Sequence, residues 1–322
     1  MRMKSELSYN KTEKYWHQYQ QFFPEGLQIN DSRLPTEEWW QWNRYNIHVD
    51  RMDALDAKVK VIFLHGAGGY GRLFAPYARM LQLHDYDLVS PDLPPFGLSY
   101  STKKQPMAYQ EWIHLIADFV EEEVKRDGKP IVLLGASIGG ILAYQVACLS
   151  PHVIGLIATT FIDPSSQQVR DQIAPNKLMS RFGKFLVDHF YLFLDPVRIS
   201  VTKVSRMHLI SNQETLTKLI MNDPRAAKTK ITLQFLRTFL NMKPIIEPEH
   251  FDRCPVLLIH PEQDFMTPYT ISEPFYQLLQ CKKQLVMLEG AGHFPIEQPG
   301  VDQMQSAVLS FLQDREREQN AK

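Results

Sequence analysis

The stretch IVLLGASIGG at residues 131–140 decides the fold of this chain. Its first four residues are aliphatic and partly β-branched, which is typical of a strand buried on both faces. The glycines on either side of Ser137 carry no Cβ, so the chain can turn sharply from this strand into a helix that begins near Gly139. Such a turn exposes the serine hydroxyl at the carboxyl end of the strand, and Ser137 is therefore the predicted nucleophile.

Strand and helix patterns alternate on both sides of this stretch. Strands are predicted at residues 45–49, 59–64, 87–90, 131–134, 153–159, 256–259 and 284–288, and helices at residues 73–83, 109–126, 139–149, 269–279 and 301–316. Strands that alternate with helices predict an α/β fold, in which a mostly parallel central sheet is covered by helices on both faces.

The alternation is interrupted at residues 164–249, where apolar residues recur at helical spacing and no clear strand pattern is present. We interpret this segment as an inserted helical cap. The α/β core then comprises residues 43–163 and 250–322, and residues 1–42 form an N-terminal extension. An amphipathic helix is expected at residues 11–23. Trp39, Trp40 and Trp42 are expected to pack the extension onto the core, and the alternative is that they form a wall of the substrate entrance.

Composition limits the possible partners and compartment. The chain has 322 residues, of which 44% are hydrophobic, and its 35 Lys and Arg balance its 36 Asp and Glu. This balance gives no electrostatic reason to expect nucleic acid or an anionic membrane as a partner. Three cysteines without a CxxC pair argue against a disulfide framework or a zinc site. Because no signal-peptide core or run of 18–20 apolar residues is present, we expect a cytoplasmic protein without stable membrane insertion.

A second glycine-rich string, HGAGG at residues 65–69, directly follows the predicted strand at residues 59–64. An acyl-transfer enzyme needs two backbone N–H groups for the oxyanion that develops on the substrate. The expected pair is the N–H of Ala67 and that of Ile138, the residue after the nucleophile. The string matches neither phosphate-binding motif, GxGxxG or GxxxxGK[ST]. His65 is expected to bond to the backbone and not to titrate in catalysis.

Two further residues complete a predicted catalytic triad. Asp264 follows the strand at residues 256–259, and His293 follows the strand at residues 284–288 on a glycine-rich loop. An imidazole can take the serine proton near neutral pH, and a carboxylate can fix the tautomer of that imidazole. We therefore predict His293 as general base and Asp264 as its acid partner. Asp163, which follows the strand at residues 153–159, is the alternative acid.

These motifs give the chain a resemblance to the α/β-hydrolase superfamily over about residues 43–316. It is carried by residues 135–139, 65–69, 92–99 and 292–293, and within the superfamily the HGAG string and residues 222–224 resemble monoacylglycerol lipases and lysophospholipases. Two loops depart from the superfamily pattern, because Pro95 replaces a glycine and Pro261-Glu262 replaces the glycine expected before Asp264. The resemblance implies a serine hydrolase that needs neither a cofactor nor a metal.

The predicted reaction is hydrolysis of a carboxylic ester through an acyl-enzyme. A small-molecule ester with an apolar portion is the expected substrate, because the cap is rich in apolar side chains. Most of these are expected to pack the cap onto the core and the rest to line a pocket over Ser137; they are Phe182, Phe185, Phe190, Tyr191, Phe193, Phe235 and Phe239.

Other activities remain open on the same triad. They are carbon–carbon bond hydrolysis, cofactor-free peroxidase-like chemistry and aminopeptidase activity. An aminopeptidase would need cap carboxylates such as Glu247 and Glu249 to bind the substrate ammonium. A ligand-binding protein without useful turnover is the alternative from a different class. The sequence does not define the oligomeric state.

Overall fold

A mixed sheet forms the centre of the computed structural model, which describes residues 7–321. The strands are β1 (Thr36–Trp42), β2 (Tyr45–Met52), β3 (Lys60–Leu64), β4 (Asp87–Pro91), β5 (Tyr100–Ser101), β6 (Ile131–Gly135), β7 (Val153–Ala158), β8 (Arg198–Ser200), β9 (Lys230–Thr232), β10 (Val256–Pro261) and β11 (Lys283–Leu288). Within the described residues, nine of them form one sheet in the order β1-β2-β4-β3-β6-β7-β10-β11, with β5 on β2. The pairs from β4 to β11 are parallel, whereas β2 pairs antiparallel with β1, β4 and β5.

The helices lie on both faces of this sheet, in the cap and in the N-terminal segment. The α-helices are α1 (Ala75–Gln82), α2 (Tyr109–Asp127), α3 (Ile138–Leu149), α4 (Gln167–Ile173), α5 (Lys184–His189), α6 (Tyr191–Leu194), α7 (Val201–Val204), α8 (Glu214–Asn222), α9 (Leu233–Leu240), α10 (Glu273–Leu278) and α11 (Gly300–Asn320). Short 3₁₀ helices lie at Tyr15–Phe22, Glu25–Leu27, Gly71–Phe74, Met207–Leu209, Pro248–His250 and Tyr269–Ile271, and a π-helical turn at Met179–Gly183. No helix in residues 7–321 is both long enough and apolar enough to cross a membrane.

The α/β core follows the sequence prediction closely because its inner strands are continuous aliphatic runs. Every residue of β3, β6 and β10 is buried. In parallel sheets covered on both faces, strands of this kind need no alternation of apolar and polar residues. Since the carboxyl ends of parallel strands lie at one edge, the segments after β3, β6, β7, β10 and β11 meet there.

The structure differs from the sequence expectations at three places. The segment at residues 164–249 contains β8 and β9, which form a short antiparallel pair, so this segment is not purely helical. The sequence prediction places residues 36–42 in the extension, but β1 belongs to the central sheet. Its seven residues pair with β2 at the edge of the sheet, where most of them are only partly buried. The helix expected at residues 11–23 is a 3₁₀ helix. Residues 1–6 of the predicted extension and residue 322 of the predicted core lie outside the described residues.

Residues 7–29, here called the N-terminal strap, cross from the core to the cap. On the core side, the backbone N–H of Tyr9 donates to Glu37 (2.6 Å), and the Tyr9 hydroxyl donates to Asp92 (2.7 Å). On the cap side, the hydroxyl of Tyr19 donates to the carboxylate of Asp223 (2.9 Å). The core residue Tyr70 donates to the same oxygen of Asp223 (2.9 Å). The strap therefore ties one part of the cap to the core through buried hydrogen bonds.

A buried histidine lies beneath the strap between two carboxylates. His48 Nε2 is 2.9 Å from Glu37 Oε1, and His48 Nδ1 is 3.4 Å from Asp92 Oδ2. Burial alone would lower the pKa of His48, but the two carboxylates outweigh burial and raise the pKa to about 10. The two carboxylates therefore favour the protonated, cationic form of this imidazole at neutral pH.

Asp223→Ala is expected to destabilise the fold by roughly 2–5 kcal/mol, because two buried tyrosine hydroxyls lose their acceptor. Asn222→Ala is the matched control, since Asn222 is an exposed neighbour and its replacement should change stability by less than about 0.5 kcal/mol. Urea unfolding measures both variants. The double variant Tyr19→Phe/Asp223→Ala should lose less unfolding free energy than the sum of the losses in the two single variants, because Tyr19 and Asp223 share one hydrogen bond. Equal stability of Asp223→Ala and Asn222→Ala would contradict the role given to the strap.

The His48 cation should make stability depend on pH in the alkaline range. A raised folded-state pKa gives a stabilisation that is complete below the unfolded pKa of about 6.5 and is lost as the pH rises towards 10. The difference in unfolding free energy between the wild type and His48→Gln should therefore shrink between pH 6.5 and pH 10. Urea midpoints at pH 6, 8 and 10 measure this difference, and a constant difference would show that His48 is not held as a cation.

Candidate active site

Ser137 lies in a strained turn between β6 and α3. Its φ of +56° and ψ of −126° belong to a region that residues other than glycine rarely adopt. The surrounding backbone allows this conformation only because the neighbours are glycines. A Cβ on Gly135 would lie 2.1 Å from the carbonyl oxygen of Gly139, and a Cβ on Gly139 would lie 2.1 Å from that of Leu64. The backbone N–H of Ser137 donates to Thr159 Oγ1 (3.0 Å), which ties the turn to the end of β7.

His293 and Asp264 form a buried pair at the same edge of the sheet. Asp264 follows β10 and His293 follows β11, and His293 Nδ1 is 2.8 Å from Asp264 Oδ2. Since an ionised carboxylate only accepts hydrogen bonds, this contact places the imidazole hydrogen on Nδ1 and leaves Nε2 as a potential base. Asp163, the alternative acid, instead accepts hydrogen bonds from the backbone and hydroxyl of Ser165.

Thr267 donates two hydrogen bonds to the Asp264 carboxylate. This residue was not identified from the sequence. Its backbone N–H donates to Asp264 Oδ1 (2.7 Å), and its hydroxyl donates to Asp264 Oδ2 (2.8 Å). Burial alone would raise the pKa of Asp264, but the neighbouring His293 and the donors of Thr267 outweigh burial and lower the pKa below its ordinary value. The spacing Asp-x-x-Thr, in which an aspartate accepts from the N–H groups that follow it, was the available sequence signal.

Ser137 and His293 line one cavity, but no hydrogen bond joins their side chains in the described structure. The structure thus brings Asp264 and His293 into direct contact. It places Ser137 and His293 in the wall of one cavity. A catalytic hydrogen bond of this kind is often long in the absence of substrate.

The predicted oxyanion donors lie beside Ser137. Ala67, Ser137 and Ile138 line one cavity under the cap, and no hydrogen bond occupies the N–H of Ala67 or of Ile138 among the described residues. The loop after β3 approaches closely, since a Cβ on Gly66 would lie 2.8 Å from Ser137 Cβ. His65 holds this loop, because its Nδ1 donates to the Gly66 carbonyl oxygen (2.8 Å) and its Nε2 accepts from a backbone N–H (2.8 Å). Burial lowers the pKa of His65, in agreement with the predicted structural role.

Two cavities meet at Ser137 in the described part of the chain. The inner cavity, of about 60 Å³, is lined by Ser137, His293 and buried core side chains that include Leu81, Met304 and Val308. The cap cavity, of about 350 Å³, is lined by Ser137, Ile138 and apolar residues of the cap.

The aromatic residues of the cap divide into two groups. Phe235 and Phe239 on α9 are buried and line the cap cavity. Five others are between 43% and 79% exposed, which corrects the expectation that most of them pack onto the core; they are Phe182, Phe185, Phe190, Tyr191 and Phe193. The cap cavity is lined in this segment by other residues instead, which include the aliphatic Leu186, Val187 and Leu194.

A cluster of potential metal ligands also lies in the described residues, formed by Glu37, His48 and Asp50. Its ligand atoms are already paired. Arg72 binds both oxygens of Asp50 (2.6 and 2.8 Å), and His48 Nε2 contacts Glu37. The guanidinium and the imidazolium thus provide the positive charge that the carboxylates require, and we interpret the cluster as an ion-pair network.

Comparisons with known proteins agree with this geometry. The sequence model of the alpha/beta hydrolase family matches residues 61–302. A pimeloyl-[acyl-carrier protein] methyl ester esterase of Xylella fastidiosa strain 9a5c is 33% identical over 264 residues, which cover 78% of this chain and 94% of the relative. The enzyme of the same name from Xanthomonas axonopodis pv. citri is 28% identical and covers 81% of this chain and 98% of the relative.

Solved structures show the same fold. A monoglyceride lipase of Saccharomyces cerevisiae has a TM-score of 0.70 at 15% identity and covers 91% of this chain and 98% of its own. The monoacylglycerol lipase of Paleococcus ferrophilus has a TM-score of 0.67 at 19% identity and covers 84% and 99%. At these identities the likeness concerns the fold, whereas the family match spans most of the sequence. The chain therefore belongs to the α/β-hydrolase family and is an enzyme of its esterase and lipase type.

Proposed function

We propose that this protein hydrolyses carboxylic esters with an apolar acyl or alkyl portion through an acyl-enzyme on Ser137. The observation that carries the proposal is the buried His293–Asp264 pair, which shares a cavity with a serine held in a strained turn. The names of the relatives, which are methyl ester esterases, support an ester as the bond that is cleaved.

Acylation follows from the positions of these groups. His293 Nε2 takes the proton of the Ser137 hydroxyl while Oγ adds to the ester carbonyl carbon. The carbonyl oxygen becomes an oxyanion, to which the free N–H groups of Ala67 and Ile138 donate. Ionised Asp264 stabilises the imidazolium that forms on His293.

The acyl-enzyme is then resolved by the same groups. The oxyanion re-forms the carbonyl bond while the bond from carbon to the alkoxy oxygen breaks, and His293 gives its proton to that oxygen, so the alcohol leaves. A water molecule takes the place of the alcohol, gives a proton to His293 and adds to the acyl carbon. The tetrahedral intermediate then collapses as the bond to Ser137 Oγ breaks and His293 returns its proton to that oxygen, which yields the free acid and the original enzyme.

The structure favours ester hydrolysis over aminopeptidase activity. Glu247 and Glu249, the candidate ligands for a substrate ammonium, are exposed and line neither cavity at Ser137. The cap cavity instead presents mainly apolar side chains.

We also propose a cytoplasmic location, which is supported by three cysteines that form no disulfide.

A fluorophosphonate probe should label the wild type and should fail to label Ser137→Ala. His293→Ala should lose labelling as well, because the serine hydroxyl then has no base. Both variants should lower the hydrolysis of an acyl ester by roughly four to six orders of magnitude. His250→Ala is the control for loss of an imidazole away from the site, because His250 is exposed and lines neither cavity at Ser137, and this variant should still be labelled. Labelling of folded His293→Ala at the wild-type rate would contradict the proposed base.

Asp264 and Thr267 should contribute to the rate by different amounts. Asp264→Asn should lower kcat/KM by roughly 10⁴-fold, because the amide favours the wrong imidazole tautomer. Thr267→Val should lower it roughly tenfold, equivalent to about 1.4 kcal/mol, through the loss of one donor to the carboxylate. Thr267→Ser keeps the hydroxyl and should retain most of the wild-type rate. Steady-state kinetics of folded variants measure these effects, and equal rates for the valine and serine variants would remove Thr267 from the site.

A further inference from the structure

The two cavities at Ser137 differ in which catalytic group they contain. Ala67 and Ser137 belong to both cavities. His293 lines the inner cavity and not the cap cavity, whereas Ile138 lines the cap cavity and not the inner one. The general acid therefore lies on the inner-cavity side of a substrate held at Ser137, Ile138 lies on the cap-cavity side, and Ala67 borders both.

This division orients an ester. The tetrahedral carbon carries Ser137 Oγ, the oxyanion, the alkoxy oxygen and the acyl chain. His293 must come within hydrogen-bond reach of the alkoxy oxygen to protonate it, so the alcohol portion lies on the inner-cavity side. The oxyanion faces the N–H groups of Ala67 and Ile138. The acyl chain then takes the remaining direction, into the cap cavity.

The size of each cavity limits the portion that it can hold. A cavity needs about 10–15 Å³ to hold one water molecule. The inner cavity of about 60 Å³ therefore accepts a group the size of roughly four water molecules. The cap cavity of about 350 Å³ lies in the range of ordinary small-molecule sites. The alcohol portion is therefore the short one and the acyl portion the long one.

The lining of the inner cavity also restricts the chemistry of the alcohol. Apart from Ser137 and His293, two residues of the lining have polar side-chain groups, and each already makes one hydrogen bond. Thr159 Oγ1 accepts from the Ser137 N–H, and the Tyr77 hydroxyl donates to the Pro295 carbonyl oxygen (2.6 Å). The rest of the lining is apolar side chains and backbone of the loop after β3. A polyol such as glycerol would bury free hydroxyls there without partners, which is unfavourable.

We propose, on the basis of the ester hydrolysis proposed above, that the substrates are long-chain acyl esters of short monohydric alcohols. The acyl chain occupies the cap cavity, and an unbranched alkyl group of about one to four carbons occupies the inner cavity. Esters with the opposite arrangement, a short acyl group on a long alcohol, do not fit. Monoacylglycerols do not fit either, although the fold is shared with enzymes that bear their name.

Two isomeric esters test the orientation on the wild-type protein. Methyl nonanoate and octyl acetate have the same composition and differ only in the position of the ester bond. The value of kcat/KM should be at least tenfold higher for methyl nonanoate, and also at least tenfold higher than for 1-monononanoylglycerol. A preference for octyl acetate or for the glycerol ester overturns the inference while leaving ester hydrolysis intact. Absence of turnover on all three esters overturns the proposed function, and the inference with it.

Substitutions on α11 test the inner cavity itself. Val308 lines this cavity, whereas Leu312, one turn later on the same helix, is buried and lines neither cavity. Val308→Leu should lower the ratio of butyl nonanoate to methyl nonanoate turnover at least threefold, and Val308→Ala should raise it. Leu312→Ala is the control for a loss of packing and should leave the ratio unchanged. Because the readout is a ratio, partial unfolding does not affect it, and equal ratios in all variants would overturn the assignment of the alcohol to this cavity.

Discussion

The close approach of three strand ends around Ser137 is the constraint on which the site depends. A Cβ on Gly139 would lie 2.1 Å from the carbonyl oxygen of Leu64, and a Cβ on Gly140 would lie 2.2 Å from that of Thr160. Helix α3 therefore begins in contact with the ends of β3 and β7, which no larger residue would allow. The strain at Ser137 is stabilised by this packing. The same packing brings the loop after β3, with its free N–H at Ala67, next to the serine.

A chain of hydrogen bonds connects the N-terminal strap to that loop. The hydroxyl of Tyr9 donates to Asp92, and the N–H of the next residue, Leu93, donates to His65 Nε2. His65 in turn donates to the carbonyl oxygen of Gly66 beside Ser137. Removing one partner from a buried network of this kind leaves the other groups without a hydrogen bond. The resulting loss of folding free energy is larger than the net contribution of the bond itself. The strap lies outside the part of the chain that resembles the family, yet it contributes to the position of the loop that carries the proposed oxyanion donor Ala67.

Contiguous segments could be predicted from the sequence, and contacts between distant segments could not. The strands β3, β6 and β10 and the turn at Ser137 each show their signal within ten residues, and their structure agrees with the prediction. Thr159 contacts the Ser137 N–H across 22 residues of chain, without a local pattern. The strands β8 and β9 have three residues each, too few to show an alternation. The exposed side chains of the cap, such as Phe193, show that periodicity defines a face but not what covers it.

The cap is attached to the core unevenly, and this bears on how the two cavities accept substrate. Its second half is attached to the loop that carries His293, since the N–H of Phe294 donates to the Ile210 carbonyl oxygen (3.0 Å), and the strap binds Asp223. Its first half, residues 164–200, carries the exposed aromatic group and provides much of the cap-cavity wall. Local opening is cheapest where few buried contacts are lost. The wall beside His293 therefore adjoins the more firmly attached half of the cap, and the wall formed by residues 164–200 is the one that can adapt to the length of the proposed acyl chain.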